Sequence, residues 1–423
     1  MIKDTKLRLT VMNFLEFAVW GAYLTSMGGY LARVGLAEHI GWFYSVQGFV
    51  SLFMPALMGI VADRCVPAQR MLGICHLVAA FFMAATGYVG MTHGDSVSFG
   101  QLFPLYASGV AFFMPTIALG NSVSYQLLSR AGYDTVKAFP PIRVFGTIGF
   151  IVSMWMVDLL GLQHSYGQFF VSAVWGVVLG CYAFTLPACA VNRGGGSRSV
   201  VDMLGLRAFA LFREKRMALF FVFSVLVGVS LQITNGYANA FISSFAGVPE
   251  YAGSFAVRHA NMLISLSQMS ETLCILLIPF CLKRLGIKKV MLCAMIAWAL
   301  RFGFFAMGNP GDGVWLFVLS MLVYGIAFDF FNISGSLFVD KETDISMRSS
   351  AQGVFMMMTN GLGATIGTLS VQAVVNAVVY SKSTPLARMD GWATVWYIFA
   401  GYALIVAILF ALIFRYDRAE EVK

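Results

Sequence analysis

The sequence contains twelve apolar windows, each about as long as a helix that crosses a bilayer. A hydrocarbon core roughly 30 Å thick needs about 20 residues of α-helix. We number the windows as spans 1 to 12; they lie near 9–32, 41–62, 71–92, 101–128, 139–161, 166–189, 217–245, 256–282, 289–308, 314–338, 350–380 and 392–414. Spans 4 and 11 are long enough to be tilted, broken or extended beyond the membrane. The pattern predicts an all-α integral membrane protein.

The composition excludes a soluble globular protein. Hydrophobic residues make up 59% of the 423 residues and charged residues 11%, with a mean hydropathy of +0.78, whereas soluble domains carry roughly 25% charged residues. Lys3, Lys6 and Arg8 lead directly into span 1, which is too long for the apolar core of a signal peptide and has no small-residue cleavage site behind it. We therefore expect span 1 to stay in the membrane.

The basic residues predict the orientation, because Lys and Arg concentrate in cytoplasmic loops. With the N-terminus inside, 22 of the 28 basic residues fall on the inner side. The outer side holds Arg33, Arg258, Lys382 and Arg388. We expect both termini to be cytoplasmic. The net charge of +8 then reflects topology, and we expect no nucleic-acid partner.

A long basic connection, 191–216, divides the spans six and six. It predicts two pseudo-symmetric six-helix halves, 1–190 and 217–423, joined by a cytoplasmic linker with a short surface helix. After span 2, Gly59–Arg64 resembles the loop signature of the major facilitator superfamily, in which two halves rock around a site near the bilayer midplane. Basic Lys283–Lys289 follows span 8, at the corresponding place in the second half.

Ionisable residues lie inside four of these apolar spans: Glu16, Arg143, Glu271 and Asp329. A charge at the bilayer centre costs on the order of 3 kcal/mol unless a partner or an aqueous cavity is present. We interpret the last three as parts of a buried polar pathway and leave Glu16, near the cytoplasmic end, open between structure and function. Arg301 in span 9 is interpreted as structural, either reaching the surface or pairing with an acid.

Polar and aromatic residues recur at helical spacing on four spans, which predicts the wall of a hydrated cavity. These residues are Arg143, Thr147 and Phe150 in span 5, Gln232, Asn235 and Asn239 in span 7, Asn261, Ser265, Gln268 and Glu271 in span 8, and Tyr324, Phe328, Asp329, Asn332 and Ser336 in span 10. Single Ser, Thr or Asn residues among them are more often hydrogen bonds between helices. His76 in span 3 is interpreted as a structural core histidine. Gly146 and Gly149 would allow span 5 to approach a neighbour closely.

The chemistry of this cavity suits a neutral polyhydroxylated molecule with a planar ring. Amides and carboxylates can bind several hydroxyls, and Phe150, Tyr324 and Phe328 supply flat faces for stacking. A sugar joined to an aromatic base meets both requirements. Buried carboxylates can also gain and lose protons, which suggests uptake coupled to protons.

Long sequence blocks resemble the bacterial nucleoside:proton symporter family of the major facilitator superfamily. The blocks are 139–150, 231–235, 267–271 and 324–336, with further similarity at 54–63 and 352–361. The resemblance implies a substrate site formed by Arg143, Thr147, Phe150, Gln232, Asn235, Gln268, Glu271, Tyr324, Phe328 and Asp329. It also implies proton coupling by Glu271 and Asp329, and a location in the bacterial inner membrane. Glu16 and Ala138 depart from the family pattern, where Gln and Asp are expected.

Two other transport functions remain alternatives to nucleoside:proton symport. They are a major facilitator carrier for another small polar solute such as a sugar, and an uncoupled nucleoside facilitator. A drug exporter is disfavoured by the many amides, and a receptor or scaffold gives no reason for the buried acids. No nucleophile elbow or metalloprotease motif is present, and the seven cysteines form no CxxC or Cys/His cluster, so we expect no enzyme, cofactor or metal site. The expected partners are nucleosides, protons and lipid, with the protein acting as a monomer.

The predicted orientation can be tested with reporter fusions. A fluorescent protein fused after Lys423 should fold and emit, because this end is expected in the cytoplasm. A periplasm-dependent phosphatase inserted after Lys382 should be active, and the same insertion after Lys341 should be silent. The reverse pattern would contradict the prediction.

Overall fold

The computed structural model describes residues 2–54, 57–58, 66–189, 206–344 and 348–416. Within these ranges all regular secondary structure is helical. Contacts divide the chain into two compact units, Met1–Ser197 and Arg198–Lys423. The loop signature 59–64 lies outside the described residues, as do residues 191–205 of the expected linker.

Each of the first six spans contains helix in the described residues. Their α-helices are Ile2–Gly21 and Met27–Arg33 in span 1, Ile40–Ser51 in span 2, Ala68–His93 in span 3, Phe99–Arg130 in span 4, Thr135–Leu159 in span 5 and Gly167–Ala183 in span 6. Span 4 is continuous even though it contains Pro104 and Pro115. Span 1 is interrupted by a turn between its two helices.

The second six spans also contain helix throughout. Their α-helices are Lys215–Leu231 and Ile233–Ser244 in span 7, Phe255–Arg258 and Ala260–Leu285 in span 8, Ile287–Met307 in span 9, Val314–Glu342 in span 10, Arg348–Met356 and Ala364–Val375 in span 11, and Pro385–Ile413 in span 12. Two π-helical segments, Met357–Gly363 and Asn376–Tyr380, break the regularity of span 11. A 3₁₀ helix, Leu206–Arg213, lies in the second part of the expected linker, and its Phe212 ring lies 5.0 Å from that of Phe221.

Nine helices in the described part of the chain are long and apolar enough to cross a membrane by themselves. The other three predicted spans fall short for separate reasons. Span 1 is interrupted, span 2 has residues that are not described, and the helix of span 6 is 17 residues long. The prediction of an all-α protein with two six-helix halves is confirmed.

Both units repeat the same set of helix pairs. In the first unit, span 1 packs on span 5, span 2 on span 4, and span 3 on spans 4 and 6. In the second unit, the corresponding pairs are span 7 with span 11, span 8 with span 10, and span 9 with spans 10 and 12. The equivalence of these pairs explains why the chain reads as an internal repeat.

Glycines allow the first and fifth helices of each unit to touch backbone to backbone. A Cβ placed on Gly149 would lie 2.1 Å from the carbonyl oxygen of Phe14, and one on Gly146 would lie 2.6 Å from the Phe17 ring. In the second unit a Cβ on Gly367 would lie 2.0 Å from the carbonyl oxygen of Val229. The predicted close approach of span 5 is therefore present, and its partner is span 1.

Gly149→Ala should separate spans 1 and 5, because the added methyl group meets backbone that cannot move aside. Such overpacking costs about 1–3 kcal/mol. We expect a lower melting temperature of the purified protein in detergent. Gly401→Ala is the matched control, because no heavy atom lies within 4 Å of its Cβ position. Equal melting temperatures for the two variants would contradict this packing.

Candidate functional site

The tyrosine of span 10, Tyr324, is the centre of the polar cluster in the second unit. The side chain is buried, and its hydroxyl is in hydrogen-bonding contact with Asn235 of span 7. Glu271, Arg301 and Asp329 are close enough to interact with it electrostatically. Helices far apart in the sequence thus bring an amide, a guanidinium and two carboxyl groups around one phenol.

Aromatic rings form one side of this cluster. Phe328, one helical turn after Tyr324, stacks on it with the ring centroids 5.6 Å apart and the planes inclined by 18°. Trp298 of span 9 meets the same tyrosine edge to face, with centroids 6.0 Å apart. Such arrangements stabilise aromatic pairs beyond the burial of their surface. Phe328 remains only partly buried, so it can offer surface to a ligand.

Arg301 holds the tyrosine from span 9. Its guanidinium carbon lies 4.5 Å from the centre of the Tyr324 ring, in cation–π contact. Its Nη1 donates to the Ser320 carbonyl at 2.6 Å and to the Ser267 hydroxyl at 3.3 Å. The side chain is 1% exposed, so the prediction that it could reach the surface is wrong. A charge in lipid is as costly for Arg301 as for Arg143, Glu271 and Asp329. The sequence signal that indicated a buried polar pathway for those three residues therefore also includes Arg301.

The amides of span 7 occupy a break in that helix. The helix ends at Leu231 and resumes at Ile233, and the Asn235 amide donates to Gln232 Oε1 at 3.0 Å. Both amide side chains are half-buried. Because Gln232 and Asn235 are hydrogen-bonded to each other beside Tyr324, their other amide donors and acceptors lie together as one polar group.

The two carboxylates of the second unit differ in exposure. Asp329 is 5% exposed, whereas Glu271 is half-buried. Gln268 lies one turn before Glu271 on the same helix and is also half-buried. The predicted residues of spans 7, 8 and 10 therefore lie on three helices that meet around Tyr324.

Other polar residues of the same stripes are structural. Asn239 donates to Asn261 Oδ1 at 2.9 Å, and both are fully buried. Ser265 and Asn332 bond to carbonyl groups of their own helices, those of Met262 and Phe328. The Asn239–Asn261 bond joins two helices, as expected for single Asn residues in a membrane bundle. Ser265 and Asn332 differ from that expectation, because each bonds within its own helix.

In the first unit, the three predicted residues lie along span 5. The Arg143 guanidinium lies 3.8 Å from the centre of the Phe17 ring. Phe150 is buried and meets Trp20 edge to face at 6.2 Å. Arg143 and Thr147 are half-buried. Contacts between spans 1 and 5 thus fix the position of this arginine.

Groups of three or more potential metal ligands do not occur in the parts of the chain that the structure describes. The second-unit cluster instead combines flat ring surface, half-buried amides and titratable carboxylates. That combination suits reversible binding of a small polar molecule. The repeated six-helix units, with apolar helices of membrane-crossing length, define a multi-pass membrane transporter of the major facilitator fold rather than an enzyme.

The chain belongs to the nucleoside H⁺ symporter family, whose sequence profile matches residues 3–419. It is 46% identical to the xanthosine permease of Escherichia coli K12 over 423 residues, covering 98% of this chain and 97% of the permease. It is also 46% identical to the nucleoside permease NupG of the same organism, over 99% of this chain and 97% of NupG. The crystal structure of the nucleoside transporter NupG superposes with a TM-score of 0.88, at 44% identity, covering 98% of this chain and all of that one. The resemblance predicted from sequence blocks is confirmed.

A double-mutant cycle should separate the structural asparagines from the site. Asn239→Ala and Asn261→Ala should each lower stability, and the double variant should lose less than the sum, with a coupling of about 0.6–1.7 kcal/mol. The measurement is unfolding of the purified protein in detergent. Asn239→Ala combined with Asn13→Ala of the other unit should be additive. Additivity within the first pair would contradict the contact.

Proposed function

We propose that this protein carries nucleosides together with protons into the bacterial cytoplasm by alternating access. The observation that supports the proposal most directly is the Tyr324 cluster, where stacked rings, paired amides and two carboxyl groups occur together in a membrane-spanning unit. Family membership and near full-length similarity to nucleoside permeases favour the same substrate class.

Each part of a nucleoside has a matching group in the proposed site. The base would stack on Phe328, since its ring is partly exposed and held in place by Tyr324. Ribose hydroxyls and base edges would bind Gln232, Asn235 and Gln268. The first half would contribute Arg143, Thr147 and Phe150, with the substrate near the bilayer midplane. A phosphorylated substrate fits poorly, because the two carboxyl groups would repel it.

Proton coupling is assigned to Glu271 and Asp329. A carboxylate in an apolar setting is costly when charged, so binding a proton changes the energy of the whole site. If substrate and proton favour the same conformational state, each promotes binding of the other by the same factor. Half-buried Glu271 would exchange with water more easily than Asp329.

We further propose the inner membrane as the location, with both termini cytoplasmic and a monomer as the working unit. The 22 basic residues on the expected inner side support the orientation. A carrier of free sugars is the principal alternative within the fold, and an uncoupled nucleoside facilitator is the other. Uridine and adenosine uptake into proteoliposomes, with and without an imposed proton gradient, distinguishes all three.

Glu271→Gln and Asp329→Asn should each abolish accumulation of uridine against its gradient, because an amide cannot bind the coupling proton. The measurement is radiolabelled uptake into proteoliposomes under an inward proton gradient. Glu250→Gln and Asp312→Asn are the controls, since these carboxylates are exposed residues of the same unit. Full accumulation by both site variants would refute the assignment of protons to them.

A further inference from the structure

Glu16 is a buried acid that the proposed site does not use. It lies in span 1 of the first unit with 3% of its surface exposed. Its Oε2 is 2.8 Å from Nε2 of His76 in span 3, and its Oε1 is 2.6 Å from the Thr116 hydroxyl in span 4. Three helices therefore close on one carboxyl group, and His76 and Thr116 are both fully buried. The interpretation of His76 as only a core histidine does not account for this contact.

The three hydrogen bonds of this cluster require a proton on the Glu16 carboxyl group if the Thr116 hydroxyl donates to a carbonyl. The Thr116 oxygen also lies 2.5 Å from the carbonyl oxygen of Phe113, and a hydroxyl has one hydrogen to donate. If it serves that carbonyl, the contact with Glu16 requires a hydrogen on the carboxyl group. The Nε2–H of His76 donates to the other carboxyl oxygen of Glu16, which is the third contact. Nδ1 of His76 has no hydrogen-bond partner among the described residues, as expected for a nitrogen without a proton. All three contacts are satisfied when the carboxyl group holds one proton.

The charge of the cluster leads to the same conclusion. A neutral imidazole with a protonated carboxyl group carries no net charge, and an imidazolium with a carboxylate carries none either. Removing the proton leaves one negative charge in a span where it costs on the order of 3 kcal/mol. The site thus favours the state with one proton, and losing that proton weakens the contacts among spans 1, 3 and 4.

The surroundings contain few other groups that could compensate for this charge. On span 3, Cys75 precedes His76 and is buried. On span 4, Phe113 meets the imidazole edge to face at 6.0 Å. On span 5, the cation that contacts span 1 is Arg143, whose guanidinium lies over the Phe17 ring. In the helix of span 6, Gly167–Ala183, the titratable groups are Cys181 and Tyr182. The tyrosine hydroxyl donates to the Arg8 carbonyl, two turns from Glu16.

Polar contacts continue from this cluster along spans 1 and 4. The Asn13 amide, one turn before Glu16, donates to the Leu9 carbonyl and to the Ser124 hydroxyl at 3.4 Å. Ser124 lies two turns beyond Thr116 on span 4. The pair lies toward the end of span 1 that we expect in the cytoplasm, and both side chains are buried.

We infer that Glu16, His76 and Thr116 form a second proton-binding site, in the first unit, that binds one exchangeable proton on the Glu16 carboxyl group and makes transport depend on pH. Its role in transport rests on the proposed function, whereas proton binding itself does not. The proton comes from water and returns to water, and no other bond is made or broken. The site is separate from Glu271 and Asp329, which belong to the other unit.

Infrared spectroscopy of the purified protein tests proton binding directly. The wild-type spectrum minus that of Glu16→Gln should contain the carbonyl band of a protonated carboxylic acid, which shifts in D₂O and disappears at high pH. Thr116→Val should shift this band, because the acid loses its hydrogen-bond acceptor. Glu38→Gln removes an exposed carboxylate of the same unit and should leave the band unchanged. A difference spectrum without the band at any pH overturns the inference.

Transport measurements test the consequence. Exchange of uridine across proteoliposomes at equal substrate concentrations should depend on pH in the wild type, and Glu16→Gln should lose one titration step from that profile. His76→Gln provides a second variant if Glu16→Gln does not fold; its amide can still donate to the carboxyl group, so the infrared band should persist but shift. Identical pH profiles for wild type and Glu16→Gln overturn the role in transport. A band without any uridine transport refutes the proposed function and leaves the proton site standing.

Discussion

A charged group in hydrocarbon must find its partners inside the protein, and this constraint decides where the ionisable residues of this chain lie. Arg301 is held by a carbonyl group, a hydroxyl and the face of Tyr324. Glu16 is held by an imidazole and a hydroxyl. Each set of partners comes from helices of one unit, so each six-helix unit supplies the partners of its own buried ionisable group.

The sequence predicted the elements well, because membrane-spanning helices have a simple physical signature. Each of the twelve apolar windows contains helix in the described residues, and sustained resemblance in long blocks identified the family. The glycine contact of span 5 was also predictable, since Gly146 and Gly149 lie on one helix face. The identity of the partner helix could not be predicted, because a glycine indicates that another helix can approach closely but does not indicate which one.

Contacts between distant helices account for most of what the sequence did not reveal. Glu16 is separated from His76 by 60 residues and from Thr116 by 100, and no periodicity links them. The sequence of span 9 allows Arg301 to reach the surface, because it does not show that Ser320 and Tyr324 pack against this side chain. The break in span 7 at Gln232 and the π-helical segments of span 11 depend on local backbone geometry, which hydropathy does not report.

The two units share their helix pairs but differ in the burial and the contacts of their acidic side chains. In the first unit the carboxyl group of Glu16 is enclosed, with both oxygens bound. In the second unit Glu271 is half-buried beside amides and an exposed ring face. An enclosed acid responds mainly to rearrangement of the helices around it, whereas a half-buried acid responds to solvent and ligand. In a carrier whose halves move during each cycle, the first would respond to the conformation and the second to the substrate, so the two proton sites that we propose would differ in their chemistry.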